Sequence, residues 1–258
     1  PQEHMMAVLS DLLESDQLPQ TASETPSKGF SRTDAGFVSS LLDYNGLRDP
    51  LPYTHGIGRW YGSLPSFLVS DVLKFIQTDF GKMGPVLANF CGSGTIPLEA
   101  SLHGMASYGI DVNPMSVILS SVKTKTASYS FAELYDAFQQ VINNRDYCEI
   151  THNAKNLLWT ENKWFSPEVR VATKQICAGI SRINNYDIQC VFAVALATII
   201  VNYCNIDKRC TNHYVYKENG RFERARLEAD LYSELKAYFS AIQSLETIPA
   251  YNKPVIQI

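Results

Sequence analysis

The sequence predicts an α/β fold built around a nucleotide-type ligand site, and three observations in residues 85–114 carry that prediction. A short apolar run, Val86 to Phe90, suits a buried strand. A turn of small residues follows, Cys91-Gly92-Ser93-Gly94-Thr95, and leads into a helix from near Ile96 that tolerates Pro97 in its first turn. A second short apolar run then ends in an acid, Asp111. Strand, glycine turn, helix, strand and acid, in that order, make a site where glycines let backbone approach a ligand and a carboxylate accepts hydrogen bonds from ribose hydroxyls. On this plan Gly92 and Gly94 both lack side chains to leave room for the ligand.

The other elements are placed by periodicity and capping. Residues 1–18 read as a helix with Met6, Val8, Leu9, Leu12 and Leu13 on one side, and residues 19–36, rich in Ser, Thr, Pro and Gly, read as a linker. A short helix is expected from Phe37 to Leu42, and irregular chain from Asp49 to Ser63. Leu64 to Thr78 carries an apolar stripe of Phe67, Val69, Val72, Leu73 and Ile76 and reads as a helix. Phe131 to Asn144 is a further helix. Ser166-Pro167-Glu168 is a helix start, with Ser166 as N-cap and Pro167 at the first helical position, and that helix is expected to reach Ile183. Asp187 to Cys204 reads as a buried helix, Glu223 to Ser244 as one charged on one face, and Pro254 to Ile258 as a strand. The expected domains are therefore an N-terminal helix and flexible linker (1–48), a cofactor-binding part (49–130), an inserted helical block (131–253) and the start of a further core strand (254–258).

Composition sets bounds on this reading. A chain of 258 residues with 45% hydrophobic content can bury one sizeable core or two small ones. It has no apolar run of about 18 residues, so no membrane partner is expected. The six cysteines are scattered without CxxC spacing, which fits a reducing cytoplasm. Cys204, Cys210 and His213 match no common zinc pattern, so no metal is expected. A net charge of −4 does not favour nucleic acid as a partner overall. One stretch runs against it: Lys208, Arg209, Lys217, Arg221, Arg224 and Arg226 are interleaved with His213, Tyr214, Tyr216 and Phe222. That mixture suits phosphate contact and base stacking; the alternative is a solvated loop leading into a helix.

Beyond spacing, the wording of the motifs points to a family. Phe90-Cys91-Gly92-Ser93-Gly94-Thr95 resembles the first motif of the DNA amino-methyltransferases, which use S-adenosyl-L-methionine to methylate N6 of adenine or N4 of cytosine. Gly109-Ile110-Asp111-Val112-Asn113-Pro114, continuing to Val122-Lys123-Thr124, resembles their next strand and helix. His55-Gly56-Ile57-Gly58-Arg59-Trp60-Tyr61-Gly62-Ser63-Leu64-Pro65 resembles the segment before the first motif, which helps to hold the methionine end of the cofactor. The resemblance implies a Rossmann-like S-adenosylmethionine methyltransferase core. It also implies a cofactor site of Phe90 to Thr95 with Asp111, Val112 and Asn113, DNA as partner, and a restriction-modification type of function.

Two departures qualify what the resemblance implies. The family has Asp-Pro before the Phe of its first motif, where this chain has Ala88-Asn89. The family's catalytic signature, an acid or amide followed by Pro-Pro and an aromatic residue, is absent, since no Pro-Pro pair occurs. No catalytic residue is therefore assigned. The expectation is a fragment, one half of a split enzyme whose motif comes from a second chain or a further C-terminal part, or a non-catalytic recognition or assembly subunit. Gly92 to Ala100 also resembles the enzymes that methylate guanine N2 in RNA, which leaves that activity as an alternative. Among single residues, Cys91 is read as a small residue fitting a tight turn, and Glu99 as a surface or capping carboxylate.

Overall fold

The computed structural model describes residues 52–58, 62–81, 84–144, 165–205, 221–249 and 251–257. All of them belong to the unit Arg48–Ile258. The helix and linker expected over residues 1–48 lie outside the described residues, as do Arg59 to Tyr61, Lys208, Arg209 and Lys217.

The described chain is mixed α/β, mostly helical, with one small parallel sheet. In chain order it contains a 3₁₀ turn (Tyr53–Gly56), α1 (Ser66–Phe80), β1 (Val86–Ala88), α2 (Thr95–Leu102), β2 (Ser107–Ile110) and α3 (Pro114–Thr124). Then come α4 (Phe131–Asn143), α5 (Pro167–Ile180), α6 (Tyr186–Ile200), α7 (Arg224–Ser244), a 3₁₀ turn (Leu245–Thr247) and β3 (Val255–Gln257). Strand order is β1-β2-β3, with Leu87 opposite Tyr108 and Tyr108 opposite Val255. The expected strand at Val255 therefore exists, but it joins the β2 side. That leaves β1, from which the glycine turn leaves, at an edge among the described residues.

In-register partners of a parallel pair share a face. Ala88 and Gly109 lie on the buried face, and a Cβ on Gly109 would meet Ile256 Cδ1 at 2.7 Å and Pro97 Cγ at 3.2 Å, so this face packs on α2. Leu87 (62% exposed), Tyr108, Ile110 and Val255 are exposed. Parallel sheets usually have both faces covered, whereas here, among the described residues, one apolar face is left exposed.

Helix boundaries follow local chemistry. Asn113 caps α3 by accepting from Met115 N, ahead of Pro114 at the first helical position. Ser130 and Glu133 make a reciprocal capping box on α4. Ser166 caps α5 as its sequence predicts, and that helix ends at Ile180, three residues short of the expected Ile183. Asn185 caps α6, which ends at Ile200 rather than Cys204. β1 is two residues shorter than the apolar run suggests, because Asn89 and Phe90 already belong to the turn.

The larger apolar core lies in the helices between β2 and β3. Phe192, Val141, Ile176, Leu227, Leu231 and Leu235 are almost fully enclosed there. At Gly179 a Cβ would lie 2.9 Å from Val141 Cα, so α4 and α5 touch backbone to backbone. A small second cluster of Val69, Leu73, Ala100 and Met105 joins α1 to α2.

Candidate functional site

The strongest constellation lies at the carboxyl ends of β1 and β2. β1 hands the chain to the turn Asn89 to Gly94, and Cys91 N donates to Ile110 O at 3.0 Å, holding the two strand ends together. Gly92 (φ +52°) and Gly94 (φ +81°) take left-handed conformations that favour glycine. The Asp111 carboxylate clasps the turn. Its Oδ2 accepts from Gly92 N at 2.8 Å and its Oδ1 from Asn113 N at 2.9 Å. The Asn113 N–H, together with that of Gly92, holds the Asp111 carboxyl below its usual range. Each oxygen still has room for a second donor. The buried Ser116 hydroxyl also faces Asp111 and adds a smaller downward push on its pKa.

The predicted site residues divide by the direction they face. Phe90 (77% exposed), Val112 (86% exposed) and Asn113 are open to solvent, with half-buried Gly92 and Asp111 beside them. Cys91, Ser93, Gly94 and Thr95 turn inward. Ser93 Oγ is within 3.1 Å of Thr95 Oγ1 and accepts from Ser63 Oγ at 3.0 Å, which ties the upstream segment to the turn. The Cys91 thiol is buried against Ser120 Oγ at 3.4 Å, and burial pushes its pKa up. That environment suits a packed small residue and not an activated nucleophile.

Gly94 corrects an expectation. A Cβ there would stand 2.9 Å from Ser120 Cα, in the backbone of α3, and 2.9 Å from its Oγ. The missing side chain of Gly94 makes room for helix packing, not for a ligand. No protein family, curated protein or solved structure matches this chain. The functional reading therefore rests on this geometry and on the motif resemblance.

Beneath the turn lies a polar cluster that the sequence did not announce. Glu99, expected at the surface, is 4% exposed and its Oε1 lies 2.7 Å from His55 Nε2. The eight-residue α2 is enclosed by α1, α3 and the sheet, so even its polar positions are interior. Lys123 Nζ donates to His55 O at 3.2 Å, and Thr54 Oγ1 donates to Lys123 O at 2.6 Å. The segment 54–55 is thereby fastened to both α2 and α3. In sequence, a polar Thr-His pair in a glycine-rich stretch gives no sign of this.

Lys123 provides a pH test. It is 3% exposed, and burial lowers its pKa from 10.5 to about 8. Below pH 8 both folded and unfolded chains hold the proton, and the buried charge costs stability. Above it the folded lysine loses the proton that the unfolded chain keeps, so stability rises with pH. A gain of about 2 kcal/mol is expected between roughly pH 7.5 and 9.5. Urea unfolding of wild type and Lys123→Met across that window checks it; the variant should lack the rise, and parallel curves would remove Lys123 as its source.

The cationic stretch is only partly described. Arg224 is committed to structure: its Nε pairs with Glu228 Oε1 at 2.6 Å, its Nη1 bonds Gln175 Oε1, and Nη2 reaches Ile142 O at 3.4 Å. It fastens α7 to α4 and α5, so the expected nucleic-acid contact does not fit Arg224. Arg221 and Arg226 instead border an open cavity at the start of α7.

Proposed function

We propose that this chain is the cofactor-binding portion of a site-specific DNA amino-methyltransferase, with S-adenosyl-L-methionine seated over the turn from Phe90 to Thr95. The observation that carries the reading is the clasp between Asp111, at the end of one parallel strand, and Gly92, at the end of its neighbour. Ligands of open parallel α/β sheets bind outside the carboxyl ends of the strands. In this reading the free acceptor sites of Asp111 take the ribose hydroxyls, and exposed Val112 and Phe90 give the adenine an apolar surface that water otherwise covers. Asn113 borders the same shelf. The core is then one side of a Rossmann-like fold, whose uncovered apolar face would be closed by a second chain or further polypeptide carrying the catalytic motif.

Titration calorimetry with S-adenosylhomocysteine tests the reading. Wild type is expected to bind, and Asp111→Ala to bind about tenfold to a hundredfold more weakly, as for a lost hydrogen bond to a charged group. Because Asp111 also braces the turn, the variant's thermal unfolding is recorded alongside. No binding by wild type, or equal affinity in a folded Asp111→Ala, would sink the assignment.

One observation favours a second reading, a non-catalytic recognition or assembly subunit. Ala88 is buried at the end of β1, and it supplies no carboxylate where the resembled family has one. Under this reading cofactor affinity is weak even in the wild type.

A further inference from the structure

The molecule has a concave site away from the glycine turn. A cavity of about 490 Å³ opens between the chain just after α6 and the start of α7. Asn202, Tyr203, Phe222, Arg221, Arg226 and Asp230 line it. That volume falls in the range of small-molecule and cofactor pockets. Its chemistry is mixed. Neither Arg221 nor Arg226 forms an ion pair among the described residues, and both are exposed. Tyr203 donates to Asp230 Oδ2 at 2.7 Å and meets half-buried Phe222 edge-on, with ring centroids 5.8 Å apart.

Its position relative to Asp111 follows from the helix pairing. Lys125, just past the end of α3, hydrogen-bonds Asp187 in the first turn of α6. Leu119 and Val194, in the middle of the same two helices, both flank Gly58. α3 and α6 are therefore antiparallel. The start of α3, which follows Asp111 and Asn113, lies toward the end of α6, and Asn202 and Tyr203 follow that end. The chain that enters α3 from Asp111 and the chain that leaves α6 at Asn202 thus lie toward the same end of this helix pair.

We propose that this cavity binds a nucleotide. The arginines would take its phosphate, Phe222 would stack on its base, the Asp230 carboxylate would accept at the base edge, and the Asn202 amide would accept or donate there. A simple anion fits less well, because Asp230 and Glu223 also border the site. A nucleotide uses both signs of charge: phosphate for arginine, and amino groups for carboxylate and amide oxygens. Given the DNA-methyltransferase reading, on which this choice of source rests, the nucleotide is an unstacked one in a DNA strand.

The test uses the full chain and a fluorescent single-stranded oligonucleotide of mixed sequence, followed by anisotropy over a salt series. Phe222→Ala should weaken binding by about tenfold or more, as for loss of a stacked base. Arg226→Gln should reduce the slope of log affinity against log salt by about 0.7. Lys236→Gln, exposed farther along α7, should do neither. Circular dichroism confirms that each variant is folded. A nucleoside monophosphate should compete better than inorganic phosphate; equal competition overturns the proposal. Competition by the monophosphate without any strand binding keeps the nucleotide site and assigns free nucleotides as its source. Strand binding unchanged in both cavity variants overturns the proposal but leaves the cofactor reading standing, because S-adenosylhomocysteine binding is measured separately.

Discussion

Gly94→Val is expected to cost the protein a large share of its stability, with any loss of ligand binding as a consequence. Two independent strains meet at this position. The backbone sits at φ +81°, where a β-branched side chain is strongly disfavoured, at about 1–2 kcal/mol even for an ordinary residue. The new Cβ would also lie 2.9 Å from Ser120 Cα, a backbone atom within α3 that cannot swing aside. Overpacking of this kind costs about 1–3 kcal/mol. Ser120 cannot retreat cheaply, because its hydroxyl donates to Gly92 O at 3.0 Å and contacts the Cys91 thiol. Together the losses reach roughly 2–5 kcal/mol against a typical total stability of 5–15 kcal/mol. Gly92→Ala makes the comparison: half-exposed and at φ +52°, it should lose only about 1 kcal/mol while interfering with a ligand over the turn. Urea unfolding of the two variants beside wild type decides the matter. A wild-type midpoint for Gly94→Val would mean that α3 does not press on the turn.

The contrast between these two glycines shows what the sequence could and could not convey. Gly-Ser-Gly predicts a tight turn, and both positive φ angles bear that out. That Gly94 faces a helix depends on where α3 packs, and no local pattern encodes that. Helices were legible because their signals are local: Ser130 with Glu133, Ser166 with Pro167, and the apolar stripe of α1 each act within a few residues. Strand pairing is not local. The apolar residues at Val255 and Ile256 predict a strand, but its place beside β2 is set by chain some 145 residues earlier in sequence. Glu99 failed for the same reason. Its burial comes from the elements that surround α2, and its partner His55 lies 44 residues away. Arg224 reads as one more cation in a basic stretch until α4 and α5 are seen to meet it.

The last expectation is that this chain alone does not transfer a methyl group to DNA. Methylating an exocyclic amine requires an extrahelical base held with its nitrogen aimed at the methyl sulfonium. In the resembled family a Pro-Pro-aromatic motif does this by stacking on the base and accepting hydrogen bonds from the amine, and no Pro-Pro pair occurs in these 258 residues. Among the described residues, the carboxylates around the turn are already engaged. Asp111 is occupied in part by Gly92 and Asn113, and Glu99 is sealed beneath the turn against His55. The uncovered face of Leu87, Tyr108, Ile110 and Val255 is apolar apart from the Tyr108 phenol. Orientation of reactants is worth roughly 7–11 kcal/mol of barrier, so its absence lowers the rate by about five to eight powers of ten, below detection. The measurement is transfer of labelled methyl from S-adenosyl-L-methionine to mixed-sequence DNA, by the chain alone and by the chain with a polypeptide that supplies the Pro-Pro-aromatic motif. Labelling is expected only in the second mixture. Turnover by the chain alone would place the base pocket within these 258 residues, and the cavity of Arg221, Phe222 and Arg226 would be the first place to seek it.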